Sequence, residues 1–235
     1  MFGLMRVAVL LAALGSRAQL AGYDQASAVT YVWLGQGLLA VVLLWGDQDL
    51  AERVRTGDVV VDLSRPWNLQ VARFAEDLGR AGYAVLGRFL PPMLIGILFF
   101  PFRWPKHTIT WALFALSVLL AVMASFAIRF LIDLSAFWLL EVRGVGGVYR
   151  IVAGVLSGLV VPLAFFPDWA RTALWFTPFP DILQSSIDVF VERGSALWLI
   201  AHQVASALVL VRVQAARITV PEARTRVSSI NTCSC

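Results

Sequence analysis

The sequence predicts an all-α protein, a polytopic membrane helix bundle of about six transmembrane segments forming one domain, 1–235. Three observations carry this prediction. The run from Thr108 to Ile132, TITWALFALSVLLAVMASFAIRFLI, contains one charge, Arg129, near its end. Charged residues make up 14% of the chain, against about 25% in soluble domains. The mean hydropathy is +0.77. A hydrocarbon core about 30 Å thick takes roughly 20 apolar residues as a helix. Lipid offers the backbone no partners, so such runs must be helical.

The expected segments follow in order. The first, 3–14, is short. It has a basic residue, an apolar core and then small residues, and so reads either as a signal region or as a shortened first span. Ser16-Arg17-Ala18 is a poor cleavage site, which favours the span. The others are 28–45, 81–100, 108–132, 151–166 and 195–213. A polar loop, 46–80, separates the second from the third.

Basic residues set the orientation. With the N-terminus in the cytoplasm, twelve Lys and Arg fall on inner segments, five on outer ones, and Arg88 and Arg129 within spans. Cytoplasmic loops carry such an excess. Both termini are therefore expected in the cytoplasm. This spread also argues against nucleic acid as the partner behind the net charge of +4. Cys233 and Cys235 have one residue between them and do not suit a structural disulfide.

The loop contains a short amphipathic helix. Asp49 and Glu52 have capping-box spacing. Leu50 and Val54 share one face, and Gly57 suits the left-handed position that ends a helix. Arg53, Arg55 and Asp58 line the rest. The Arg65-Pro66 pair breaks regular structure. Two turns do not persist alone in water, so something must cover Leu50 and Val54. Either lipid or a groove on a cytoplasmic partner would do so.

Several motifs recur in a known order. They are Trp33-Leu34-Gly35-Gln36, Thr56-Gly57-Asp58, Leu63-Ser64-Arg65-Pro66, Ala136-Phe137-Trp138, Val142-Arg143-Gly144, Ser157-Gly158, Val161-Pro162-Leu163, Phe166-Pro167-Asp168-Trp169 and Thr177-Pro178-Phe179. From about Tyr23 to Ala215 the chain resembles the permease subunits of type-2 ABC exporters, the small bacterial six-helix group. That family normally begins with an amphipathic helix and a full first span. The resemblance implies the type-2 permease fold in a bacterial inner membrane. It implies two copies of a separate ABC ATPase that bind ATP and Mg, and a second permease, itself or a sister chain. It also implies that the Asp49–Gly57 helix couples to the ATPase. Pro162, Pro167, Trp169, Trp175, Pro178 and Phe179 then resemble a re-entrant hairpin closing the outer side. On residues alone, those aromatics equally suit an interfacial belt.

The residues permit this division of labour. Gripping nucleotide phosphates takes a glycine-rich loop ending in Gly-Lys-Ser/Thr, and the one lysine, Lys106, follows a proline. No catalytic set of Ser-His-Asp or Cys-His type stands out, and His107 and His202 lie on different segments. No cofactor is expected on this chain itself. Among intramembrane charges, Arg129 and Asp133 are four apart and can pair. Arg88 lies before Pro91-Pro92 and either faces the pathway or a partner permease or pairs with a neighbouring helix's carbonyls. The alternative function is a secondary transporter or a membrane scaffold working without an ATPase.

Overall fold

A computed structural model describes residues 2–14, 23–45, 49–64, 68–139 and 142–232. The described residues form helices and turns without a β-sheet. They comprise α1 (Phe2–Leu14), α2 (Gln25–Val42), α3 (Asp49–Thr56), α4 (Val59–Leu63), α5 (Leu69–Ala84), α6 (Leu90–Phe99), α7 (Ile109–Leu134), α8 (Arg143–Leu156), α9 (Asp168–Leu174), α10 (Gln184–Phe190) and α11 (Ala196–Thr232). Four stretches are long and apolar enough to cross a membrane: Gln25–Val42, Leu69–Phe99, Ile109–Phe137 and Ala196–Ala215. The expected terminal pair Cys233/Cys235 and the Arg65-Pro66 pair lie outside the described residues.

The central helix is α2. It begins at Asp24, whose Oδ1 accepts from Ser27 N at 3.2 Å. Its far end is capped from another helix: Arg80 Nη1 and Nη2 donate to Ala40 O and Val41 O at 2.8 and 2.9 Å. Helix C-termini leave carbonyls without partners, and in lipid only protein can supply them. Two glycines let α2 and the α5–α6 span approach closely. A Cβ on Gly96 would stand 2.6 Å from Trp33 Cγ, and one on Gly37 would stand 2.6 Å from Phe89 Cδ2.

Two expected spans differ in the structure. The polar loop ends early, because α5 begins at Leu69 and runs through Val85–Phe89 into α6 as one stretch. Asn68 starts it by accepting from Val71 N at 3.2 Å. Val85–Phe89 is π-helical, and it precedes Pro91-Pro92. Pro91 and Pro92 thus fall in the first turn of α6, where a missing N–H is tolerated, so the proline pair does not end the stretch. The 151–166 run is not one helix. It begins at Arg143 and stops at Leu156. Gly158 then adopts a left-handed φ of 82°, and Pro162 opens a turn of 3-10 helix, Leu163–Phe165.

Buried amides stitch the spans together. Gln203 of α11 donates to Asp181 O at 3.1 Å, and its Oε1 lies 2.8 Å from Ser117 Oγ of α7. Gln214 of α11 donates to Ala127 O of α7 at 2.7 Å and accepts from Gln70 of α5 at 2.6 Å. Side-chain amides replace the hydrophobic drive that lipid removes between helices.

Candidate functional site

The polar-loop end gathers α3, α4, α5 and α7. Here the sequence reading of α3 needs correction. Leu50 is buried, and with Val54 it packs against Phe126, Phe130 and Leu134 of α7 and Phe74 of α5. The apolar face of α3 therefore docks on its own bundle. The outward face carries Glu52, Arg55, Thr56, Gly57 and Asp58. Beside it on α4, Val60 and Val61 are exposed. Gly57 does take the left-handed turn that ends the helix, with φ 86°.

The Asp49/Glu52 capping box is also replaced. Asp49 Oδ2 pairs with Arg53 Nε and Arg73 Nη1, both at 3.1 Å. Glu52 pairs with Arg55 at 2.6 Å. The hydrogen bond and charge of Asp49 hold the Arg53 guanidinium above its ordinary pKa.

Arg73 is the junction of this end. Its guanidinium also reaches Asp62 of α4 at 3.2 Å and Glu76 at 3.2 Å. One turn further along α5, Asp77 is buried and shared. Arg80 Nε meets it at 2.9 Å and Arg129 Nη2 of α7 at 2.8 Å. Arg129 thus turns to Asp77 on a neighbouring helix, not to Asp133 on its own. A carboxylate held between two guanidiniums recovers much of what its burial costs. Asp133, Arg129 and Asp77 line a cavity of about 280 Å³ behind α3. A chain of charged contacts therefore runs from α3 and α4 through Arg73 to α5. From Asp77 it reaches α7, and through Arg80 it reaches the end of α2.

Arg88 stands apart. It lies in the π-helical turn with its side chain exposed on the outside of the bundle. Arg73, Asp77 and Arg80 were missed in the sequence because they sit in a stretch that reads as loop. Their spacing, i, i+4 and i+7, is the helical signal that finds them.

The opposite end holds the proline and tryptophan segment. Pro167 precedes α9, and the α9–α10 connection contains Pro178 and Phe179. Trp169 is exposed, while Phe179 packs against the core. The carbonyl of Trp175 lies 2.7 Å from His202 Nε2. The other ring nitrogen of His202 is 2.9 Å from Asp181 Oδ1. Both nitrogens of His202 thus face acceptors, and its ring stacks on Trp198. A histidine read as bland ties the segment to α11. Deeper in, Gln184 accepts from Tyr31 Oη at 2.6 Å and from Leu163 N at 3.2 Å. It donates to Asp188 Oδ2 at 2.8 Å. In the connection to α11, burial pushes the Glu192 carboxyl up, but hydrogen bonds from His107 N, Thr110 Oγ1 and Lys106 N outweigh it and hold it below its usual range.

The comparison with known families agrees with this architecture. The family described as ABC-2 family transporter protein matches residues 3–217. The chain belongs to that family. It is a multi-pass membrane protein, a permease of an ABC transporter, and its family associates with an ABC ATPase. No curated protein and no solved structure shows significant similarity to it.

Proposed function

We propose that this chain is the membrane-spanning subunit of an ATP-driven exporter in a bacterial inner membrane, with both termini in the cytoplasm. It forms the substrate pathway with a second permease, itself or a sister chain. Two copies of a separate ATPase, carrying the ATP and Mg, work against α3 and α4. One observation carries the reading. Helix α3 is seated by Leu50 on α7 and ion-paired through Arg73 to α5, while its other face stays charged and open.

The geometry supports a simple coupling step. Closure of the ATPases on ATP pushes on the outward face at Glu52, Arg55 and Asp58. Leu50 transmits that push to Phe126 and Phe130, and Arg73 transmits it to α5. Helices α5, α7 and the end of α2 then move as one group through Asp77. The exposed α5–α6 span, with Arg88, faces the second permease or the pathway. The coupling residues Arg65 and Pro66 expected from the sequence come two and three positions after Leu63 in the chain, outside the described residues.

The test is co-purification with the cognate ATPase from detergent. Arg55→Glu combined with Asp58→Arg leaves the inner face of α3 intact. The expected result is normal membrane expression with ATPase recovery reduced at least about tenfold, the loss of about 1.4 kcal/mol or more. Undiminished recovery and transport would move the docking surface elsewhere.

A further inference from the structure

The end of the bundle opposite α3 contains a second, open cavity, of about 320 Å³, between the Leu163–Phe165 turn, α9, α10 and the start of α11. That volume suits a small ligand or a headgroup. Two arginines line it, Arg171 and Arg193. Arg171 pairs with Asp168 at 2.7 Å, but the Asp168 side chain is 89% exposed. Such a pair is water-screened and readily exchanged for another anion. Arg193 is held over the ring of Tyr23, 4.3 Å from its centroid, so its guanidinium is already in position. One carboxylate also lines the cavity. It is Asp188, one carboxylate against two guanidiniums, and its oxygens accept from Tyr23 Oη and Gln184 Nε2.

The remaining wall is apolar and aromatic. Trp175 and Trp198 meet there edge to face, 4.9 Å between centroids. Trp198 is half exposed, and beside it begins an exposed stripe down α11, Leu197, Val204 and Leu208. These are spaced i, i+7 and i+11, one face of a helix. A tryptophan-walled cavity with two arginines therefore lies at the start of α11, a helix long and apolar enough to cross a membrane, whose neighbouring face exposes Leu197, Val204 and Leu208.

We propose that this cavity binds an anionic amphiphile, a phosphate or carboxylate headgroup at Arg171 and Arg193 with its hydrocarbon tail against Trp198 and the exposed face of α11. The ligand is a membrane lipid or the transported cargo. That choice of sources rests on the permease reading, whereas binding itself is measurable without any ATPase.

The experiment uses the full chain in a neutral detergent with dodecyl phosphate as probe, bound stoichiometry being read by native mass spectrometry. Dodecyl phosphate should bind at least about tenfold more tightly than dodecanol or inorganic phosphate, since both headgroup and tail contribute. Arg171→Gln should weaken it about tenfold, and Arg171→Lys should restore part of the loss. Among the described residues Arg171 has one ion-pair partner, the exposed Asp168, so this variant is expected to fold. On the unaltered chain, 11-bromoundecyl phosphate should quench tryptophan fluorescence, and Trp175→Phe with Trp198→Phe should remove most of that quenching. No preference for the phosphate headgroup, or full binding in both Arg171→Gln and Arg193→Gln, overturns the site. Displacement of the probe by phosphatidylglycerol but not phosphatidylcholine assigns it to lipid. ATP-driven loss of the probe from the ATPase complex assigns it to cargo. Intact probe binding in a chain that recruits no ATPase would refute the permease reading and leave the site standing.

Discussion

The two ends of this bundle are held by different chemistry. At the α3 end, ion pairs join four helices: Arg73 of α5 meets Asp49 of α3, Asp62 of α4 and Glu76, while Asp77 is shared by Arg80 and by Arg129 of α7. At the other end, neutral amides and hydroxyls hold short, buried segments, with Gln184 and Gln203 at the centre. Flexible charged side chains exchange partners at little cost near water. Buried amides do not, because a lost partner leaves a desolvated group unsatisfied. The first end therefore rests on charge, part of it buried at Asp77, and the second on neutral amides.

The comparison breaks most severely at Leu50. Leu50→Asp puts an unpaired charge among Phe126, Phe130 and Leu134. The expected loss is about 3–5 kcal/mol, the range for an uncompensated buried charge. Thermal unfolding in detergent should show it as loss of the folded species. A variant as stable as wild type would mean that α3 is not seated on the bundle.

A smaller change sharpens the contrast. Gln203→Leu removes the amide joining α11 to Ser117 and to the Asp181 carbonyl. It should destabilise the chain by about 1–2 kcal/mol. ATPase recovery should be unchanged, because the lesion is far from α3. Reduced recovery with normal folding would show that the two ends are not separable.

Much of this was legible in the sequence, and the reasons for the rest are physical. The long apolar runs located α2, α7 and α11 because lipid enforces helices. Gly57 marked the end of α3 because a left-handed residue favours glycine. Where the Leu50 face points was not legible, since its partners lie some 75 residues further along on α7. The start of α5 was hidden because a helix emerging from the membrane turns polar while remaining helical. The 151–166 run read as a span because composition outweighs two breakers, yet Gly158 must stay glycine there. A Cβ on it would meet Gln184 Oε1 at 2.5 Å and Tyr31 Oη at 2.6 Å. The buried glutamines went unnoticed because single amides hardly alter the hydropathy of a run.

The central claim is that Arg73 passes motion from α3 to the spans. Arg73→Gln removes its charge and its contacts with Asp49 and Asp62 but leaves Leu50 seated and the outward face of α3 unchanged. The direct measurement is substrate transported per ATP hydrolysed, in vesicles containing the chain and its ATPase. The account predicts that the ATPase still co-purifies and hydrolyses ATP, while transport per ATP falls about tenfold. An unchanged ratio in a fully assembled Arg73→Gln complex would contradict it.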